Sequence, residues 1–111
     1  MKLPNGDHAV VDIAKLRNYC LDPAHLRGRH KARVFASALG LTADNAEELR
    51  LLLLANAAAV DAQRIGEDEY GDRYVLDFDV ARGRWSARVR SGWIVRRGES
   101  FPRLTSCYVV S

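Results

Sequence analysis

Apolar residues in the first half of the chain recur at the spacing of amphipathic helices. After Asp12, whose side chain suits a helix N-cap, apolar residues return every three or four positions as far as Cys20, and Pro23 ends the pattern. A second apolar stripe occupies Arg29–Leu39 and stops at Gly40, a residue type that commonly follows a helix C-terminus. The pattern therefore predicts two short helices.

A longer stripe predicts a third helix over residues 45–60. Asp44 followed three residues later by Glu47 resembles a capping box, although Thr42 competes as the cap. Leu49 and Leu53 lie on one stripe. Three neighbouring leucines widen the apolar face, and they are Leu51, Leu52 and Leu54. We expect this helix to form the centre of the core and to be buried on more than one side.

The apolar period changes to two after an acidic loop at residues 66–72. Alternate residues from Tyr74 to Val80 are apolar, which is the pattern of a half-buried strand. Residues 81–84 then predict a hairpin turn. Alternation resumes at Trp85, and Gly92 indicates a bulge within the second half of the sheet.

A final strand is predicted over residues 104–110. Three helices followed by three or four antiparallel strands predict an α+β fold, with the helices packed on one face of the sheet. At 111 residues and 48% hydrophobic, the chain is long enough for one core and too short for two ordinary domains. We therefore predict a single domain over residues 1–111.

Composition excludes several classes of protein. The chain start lacks the apolar region of a secretory signal, and the longest apolar run is too short to span a bilayer. Cys20 and Cys107 have no metal-ligand spacing around them, so we expect two buried thiols in a reducing cytoplasm. The sequence indicates no metal site, no cofactor and no membrane segment.

Charge is distributed unevenly along the chain. Residues 1–40 carry seven Lys or Arg against three acids, residues 41–79 carry three against ten, and residues 80–111 carry seven against one. If the fold brings the two basic ends together, one face suits a polyanion such as RNA. The alternative is a solvated surface without a partner.

The most basic segment covers the start of the second helix. It has four cations, two histidines and no acid, namely His25, Arg27, Arg29, His30, Lys31 and Arg33. Cations at a helix N-terminus oppose the helix dipole, whereas a bound phosphate would be favoured by both the cations and the free amides. The segment therefore indicates an RNA-backbone site, or else cations that pair with the acidic middle of the chain.

The sheet offers a second candidate surface. Arg84, Arg88 and Arg90 share one strand parity and should emerge on the face opposite the helices, where they could line an RNA groove. Trp93 could stack on a base if the bulge turns it outward, although a Trp in such a strand is more often core.

The last strand supplies hydroxyls on both of its faces, and either Thr105 or Ser106 could hold a phosphate oxygen. Neither belongs to a serine-hydrolase motif. Metal-independent RNA cleavage needs a base for the 2′-hydroxyl, an acid for the leaving oxygen, and cations for the phosphate. His25 and His30 are the side chains near the cations that suit proton transfer at neutral pH.

Several motifs of this chain resemble a family of small bacterial proteins. They are KLPNG near the start, LDPAH at residues 21–25, GRHKARVF at residues 28–35, LGL at residues 39–41, and PRLTSCY at residues 102–108. Similar domains occur at the C-terminal tips of polymorphic toxins. Their order of helices and then sheet is similar to the ribonuclease superfamily that includes barnase, EndoU, colicin and RelE (BECR).

The resemblance implies a metal-independent ribonuclease toxin that acts in the cytoplasm and is restrained by an acidic antitoxin or immunity protein. It carries over residue types only, with His25, His30 and Lys31 from the helical motif and Thr105 and Ser106 from the last strand. The chain departs from the best-known members in lacking an obvious catalytic Glu on the sheet. The alternative is a noncatalytic domain whose basic face binds RNA or an acidic protein.

Overall fold

A computed structural model describes residues 1–110 of the chain, with helices first and strands second. The helical half comprises α1 (Ile13–Lys15), which continues directly as a π-helical segment (Leu16–Cys20), α2 (Arg29–Leu39) and α3 (Ala46–Ala59). The strands are β1 (Gln63–Glu67), β2 (Gly71–Arg82), β3 (Trp85–Arg96) and β4 (Pro102–Val110). The predicted α+β architecture is confirmed, and no helix among residues 1–110 has the length and apolar character needed to cross a bilayer.

The four strands form an antiparallel meander in the order β1-β2-β3-β4. Gly83 and Arg84 form the tight turn between β2 and β3, where Arg82 faces Trp85 in the ladder and Gly83 has a φ of 59°. The strand β1 is a correction to the sequence prediction, which assigned part of it to the acidic loop. Its residues are mostly exposed, so it lacks the alternation that marks a half-buried strand.

The helix ends are built largely from the predicted residues. The Asp12 side chain accepts a hydrogen bond from the Ala14 amide at 2.9 Å, and Gly40 ends α2 with a φ of 65°. The start of α3 differs from the predicted Asp44 and Glu47 pair. Thr42 begins a short 3₁₀ turn instead, and the Asn45 side chain accepts from both the amide and the hydroxyl of Thr42.

A single core lies between the helices and one face of the sheet. The inward residues of β2 are those the alternation predicted, from Tyr74 to Val80, and the backbone of α2 lies close to β3 and β4. Leu49 and Leu53 of α3 are fully buried. Leu51 is 56% exposed, so the prediction that α3 is buried on several sides is wrong. Among residues 1–110, no helix lies on the opposite face of the sheet, which we call the open face.

The two cysteines are distant in sequence but adjacent in the core. Cys20 ends the π-helical segment and Cys107 lies on β4, and both thiols are free and buried. A hydrogen bond between the thiols lowers the pKa of Cys20, helped by nearby Lys15 and Lys31. The same hydrogen bond, together with burial, raises the pKa of Cys107. The expectation of two buried thiols is confirmed, whereas their contact is a product of the fold.

Candidate functional site

The cations at the start of α2 form an exposed group. Arg27, Arg29, Lys31 and Arg33 all have exposed side chains, and no carboxylate among residues 1–110 lies within ion-pair distance of any of them. We call these four residues the α2 cation cluster. Its positive charge is therefore not neutralised by the acidic middle of the chain, which was the alternative that the sequence left open.

The acidic middle pairs with other arginines. Glu47 binds Arg50 of the same helix, and Glu48 binds Arg82 of β2. Around the β1–β2 turn, the acids contact three arginines in the pairs Arg64–Asp72, Arg73–Asp68 and Arg97–Glu67. Because these acids pair with arginines of the middle and C-terminal segments, the α2 cation cluster is left without a carboxylate partner among residues 1–110.

His25 has a structural contact that the sequence did not indicate. Its Nδ1 accepts hydrogen bonds from the backbone amides of Arg27 and Gly28, both at 3.1 Å. The ring also packs edge-on against Tyr19, with ring centroids 4.4 Å apart. One ring nitrogen is thus engaged by the turn that precedes α2, and only Nε2 remains for other chemistry.

His30 and Lys31 lie beside β4. The Nζ of Lys31 is 4.4 Å from the centroid of the Tyr108 ring, a distance typical of a cation–π contact. A cavity of about 300 Å³ opens between the helix and the strand, and its lining residues are His30, Lys31, Val34, Tyr108, Val109 and Val110. The contact joins the α2 cation cluster to the edge of the sheet.

Of the predicted arginine row, Arg88 and Arg90 lie on β3 at the open face of the sheet and are ion-paired, whereas Arg84 lies in the turn before β3. Arg88 donates to Asp79 at 3.0 Å, and Arg90 binds Asp77 through two hydrogen bonds of 2.8 and 2.9 Å. The antiparallel register places each arginine opposite its partner. The contact with Arg90 lowers the pKa of Asp77. Arg84 packs against Trp85, with 5.4 Å from its guanidinium carbon to the ring centroid.

Arg90 also approaches the hydroxyl of Tyr108. This contact and the larger one with Asp77 raise the Arg90 pKa further above its ordinary value. Tyr108 is paired with Arg90 in the β3–β4 ladder and contacts Lys31 of α2 on its other side. Tyr108 therefore links the open face of the sheet to the α2 cation cluster.

The proposed base-stacking role of Trp93 is wrong. Trp93 is 1% exposed, and its Nε1 donates to the Ser91 hydroxyl inside the core. The bulge expected near Gly92 exists, but the extra residue belongs to β4, since Gly92 faces Ser106 and Trp93 faces Leu104. The strand β3 runs straight through and keeps Trp93 on the inward face.

The bulge changes the positions of the two hydroxyls on β4. Thr105 is the additional residue, so its side chain and that of Ser106 both reach the open face, and not opposite faces as expected. A Cβ on Gly92 would lie 2.8 Å from the Ser106 hydroxyl and 2.9 Å from the Thr105 hydroxyl. The side chains meet over the bare backbone of Gly92.

These hydroxyls border a cavity of about 220 Å³ on the open face. Its lining residues come from all four strands, and they are Ile65, Arg73, Tyr74, Val75, Arg90, Gly92, Trp93, Thr105, Ser106 and Tyr108. Ile65, Arg73, Gly92 and Tyr108 were not among the predicted site residues. A glycine within a strand was the available signal, because it often marks a close approach of another group.

Comparison with known proteins assigns nearly the whole chain to one family. Neither the curated proteins nor the solved structures gave a match. A family model described as "Domain of unknown function (DUF6883)" matches residues 2–111. The match covers the helices, the sheet and every candidate site residue, and the chain belongs to this family.

Proposed function

We propose that this protein binds RNA through the α2 cation cluster and cleaves it without a metal ion at His30, Lys31 and Tyr108. The single observation that supports the proposal is the position of the α2 cation cluster, which has no carboxylate partner among residues 1–110, beside a cavity lined by His30, Lys31 and Tyr108. The resemblance to ribonuclease toxins agrees with this chemistry but does not carry the argument.

Binding follows from electrostatics. RNA presents a dense row of phosphates, and cations without carboxylate partners can each replace a counterion on that row. Arg27 lies in the turn before α2, and Arg29, Lys31 and Arg33 lie in the first turns of the helix, all with exposed side chains. Their affinity for RNA should decrease steeply with salt, since counterion release supplies most of the free energy of such binding.

The cleavage step requires a proton acceptor and a proton donor. Unprotonated His30 accepts the proton of the 2′-hydroxyl as the 2′-oxygen forms a bond to phosphorus. The bond from phosphorus to the 5′-oxygen breaks, and the Tyr108 hydroxyl gives that oxygen a proton. Lys31 holds the non-bridging oxygens as their charge develops. The products are a 2′,3′-cyclic phosphate and a free 5′-hydroxyl.

Arg90 is a positioning residue in this scheme. Its guanidinium is held by Asp77 and approaches the Tyr108 oxygen, so the phenolic proton is directed away from the arginine. His25 is the less suitable base, because its Nδ1 already accepts two backbone amides. The same basic surface would bind an acidic antitoxin or immunity protein and be blocked by it.

The test is incubation of purified protein with total RNA, with and without EDTA. We expect cleavage in both conditions and cyclic phosphate ends on the products. Loss of a general acid or base typically lowers the rate by about 10²- to 10⁴-fold. We therefore expect the His30→Ala and Tyr108→Phe variants to cleave RNA more slowly by that factor. The matched control is His8→Ala, because His8 is an exposed histidine far from the cavity in sequence and contacts Asp7.

Two results would contradict the cleavage step. One is intact RNA at high protein concentration, and the other is equal cleavage by the wild type and the His30→Ala variant. If RNA still binds in a salt-dependent manner in either case, the noncatalytic RNA-binding domain replaces the ribonuclease as the function.

A further inference from the structure

We infer that the cavity on the open face of the sheet is a binding pocket for a single nucleobase. We call it the sheet pocket. It is separate from the His30–Lys31 cavity, but Tyr108 lines both. The inference rests on the proposed function in one respect only, since RNA is taken as the natural source of the base.

The sheet pocket is shaped by two backbone irregularities. Thr105 is the extra residue of β4, and the register of β1 shifts at Ile65 on the opposite edge. Both residues line the pocket. Bulges redirect side chains and are common beside binding sites. The absence of a side chain at Gly92 lets the hydroxyls of Thr105 and Ser106 lie directly over its backbone, at the floor of the pocket.

Two hydroxyls provide polar contacts at this floor. The side chains of Thr105 and Ser106 are half-buried, and within residues 1–110 the structure gives neither hydroxyl a hydrogen-bond partner. Each hydroxyl can donate one hydrogen bond and accept others. Adjacent donors and acceptors of this kind match the edge of a base, which presents alternating ring nitrogens and exocyclic groups.

The charges around the sheet pocket favour a neutral ligand over a phosphate. Arg73 and Arg90 are the cations in its wall, and they are paired with Asp68 and Asp77 at 2.7 and 2.8 Å. The side chains of Ile65, Val75 and Tyr108 complete the wall, since those of Tyr74 and Trp93 are buried on the inward face of the sheet. A flat heterocycle can stack on an aromatic ring and pack against apolar side chains of this kind. An anion would find few hydrogen-bond donors that are not already paired.

Tyr108 places the base next to the reacting phosphate. Tyr108 lines both the sheet pocket and the cavity bordered by His30 and Lys31. A nucleotide whose phosphate lies at Lys31 can extend its base around the edge of β4 onto the open face. The sheet pocket would then select the nucleotide at which RNA is cleaved, while the α2 cation cluster binds any sequence.

The experiment is calorimetric titration of the protein with the four nucleoside 3′-monophosphates and, separately, with inorganic phosphate. We expect one or two bases to bind at least 10-fold more tightly than the others. Gly92→Ala places a methyl group against both hydroxyls and should reduce the binding of the preferred nucleotide by at least 10-fold. Thr105→Val removes a hydroxyl while keeping the side-chain shape, and it should reduce discrimination among bases.

The matched control is Ser86→Ala, which removes an exposed hydroxyl from the same strand as Gly92 outside the sheet pocket. Thermal unfolding of each variant verifies the fold. Equal binding of all four nucleotides by the wild type, or unchanged preference in both Gly92→Ala and Thr105→Val, would overturn the inference. Base preference in a wild-type protein that leaves RNA intact would support the sheet pocket and reject only the ribonuclease.

Discussion

Ser91 provides the polar contact at the centre of an otherwise apolar core. Its side chain is 0% exposed, and its hydroxyl donates to the Leu76 carbonyl at 2.9 Å while accepting from the Trp93 indole at 2.9 Å. The two hydrogen bonds allow the large Trp93 side chain to be buried with its N–H satisfied. This arrangement fixes the rotamer of Trp93 on the inward face of β3.

We expect Ser91→Ala to lower the free energy of unfolding by about 1 to 3 kcal/mol, because the buried indole N–H would lose its acceptor. Urea unfolding measures the difference. The double variant Ser91→Ala with Trp93→Phe should be less destabilised than the sum of the two single variants, since no unpaired donor remains. Strict additivity would show that the hydrogen bond contributes nothing.

The role of His25 can be separated from that of His30 by stability. We expect His25→Ala to lower the free energy of unfolding by about 1 kcal/mol, as loss of a helix cap does. The reason is that the amides of Arg27 and Gly28 lose their acceptor. His25→Asn should recover part of this loss, since an amide oxygen can accept the same bonds. His30→Ala should leave the unfolding midpoint unchanged. A destabilised His30 variant with a stable His25 variant would reverse these assignments.

Arg82 joins three elements of the fold. Its guanidinium donates to Glu48 of α3 at 2.7 and 3.0 Å, and also to the carbonyls of Leu39 and Gly40 at the end of α2, both at 3.1 Å. The last carbonyls of a helix carry partial negative charge, so a cation there is favourable. The planar guanidinium satisfies the carboxylate and the helix end together, which an ammonium group cannot do.

We therefore expect Arg82→Lys to lower the free energy of unfolding by about 1 to 2 kcal/mol, because the ammonium group could bind either the carboxylate or the helix end but not both. Thermal or urea unfolding would detect the loss. The matched control is Arg84→Lys, since Arg84 is an exposed neighbour that packs against Trp85 without a carboxylate partner among residues 1–110. Equal effects at the two positions would argue against the joining role of Arg82.

The charges of the whole molecule fall into two groups with different behaviour. The arginines of the sheet hold carboxylates, and hydrogen bonds from them lower the pKa of five acids, which are Glu48, Asp68, Asp77, Asp79 and Glu99. The α2 cation cluster has no such partners among residues 1–110. Acid should thus affect the stability of the sheet, whereas salt should affect the association of the cluster with polyanions.

A lowered pKa in the folded state means that the unfolded state takes up protons first as the pH falls. The stabilisation is therefore complete above the unfolded pKa of these acids and is lost as the pH decreases through the folded pKa. We expect the free energy of unfolding to decline below about pH 5, with a modest contribution from each exposed pair. Asp77→Asn should reduce the slope between about pH 5 and 3. An unchanged slope would show that the Asp77–Arg90 pair does not contribute to the pH dependence of stability.

Local patterns were sufficient to predict most elements of the fold. The alternation in β2 and the stripe of α2 reflect which side chains are apolar and become buried, and these positions can be read directly from the sequence. Gly40 was recognised because few other residues adopt its backbone conformation readily. The exposed strand β1 was not predicted, because its pairing with β2 supplies its stability and leaves no burial pattern of its own.

The tertiary structure decided which of the candidate groups are available for chemistry. Cross-strand register turned Arg88 and Arg90 into ion pairs, and an extra residue in β4 moved Thr105 beside Ser106. Tyr108 became the link between the two cavities only when α2 packed against β4. The sequence by itself determined the elements and the basic segment, because these depend on neighbours along the chain. Pairing of charges and sharing of a cavity depend on neighbours in space, which only the packed fold brings together.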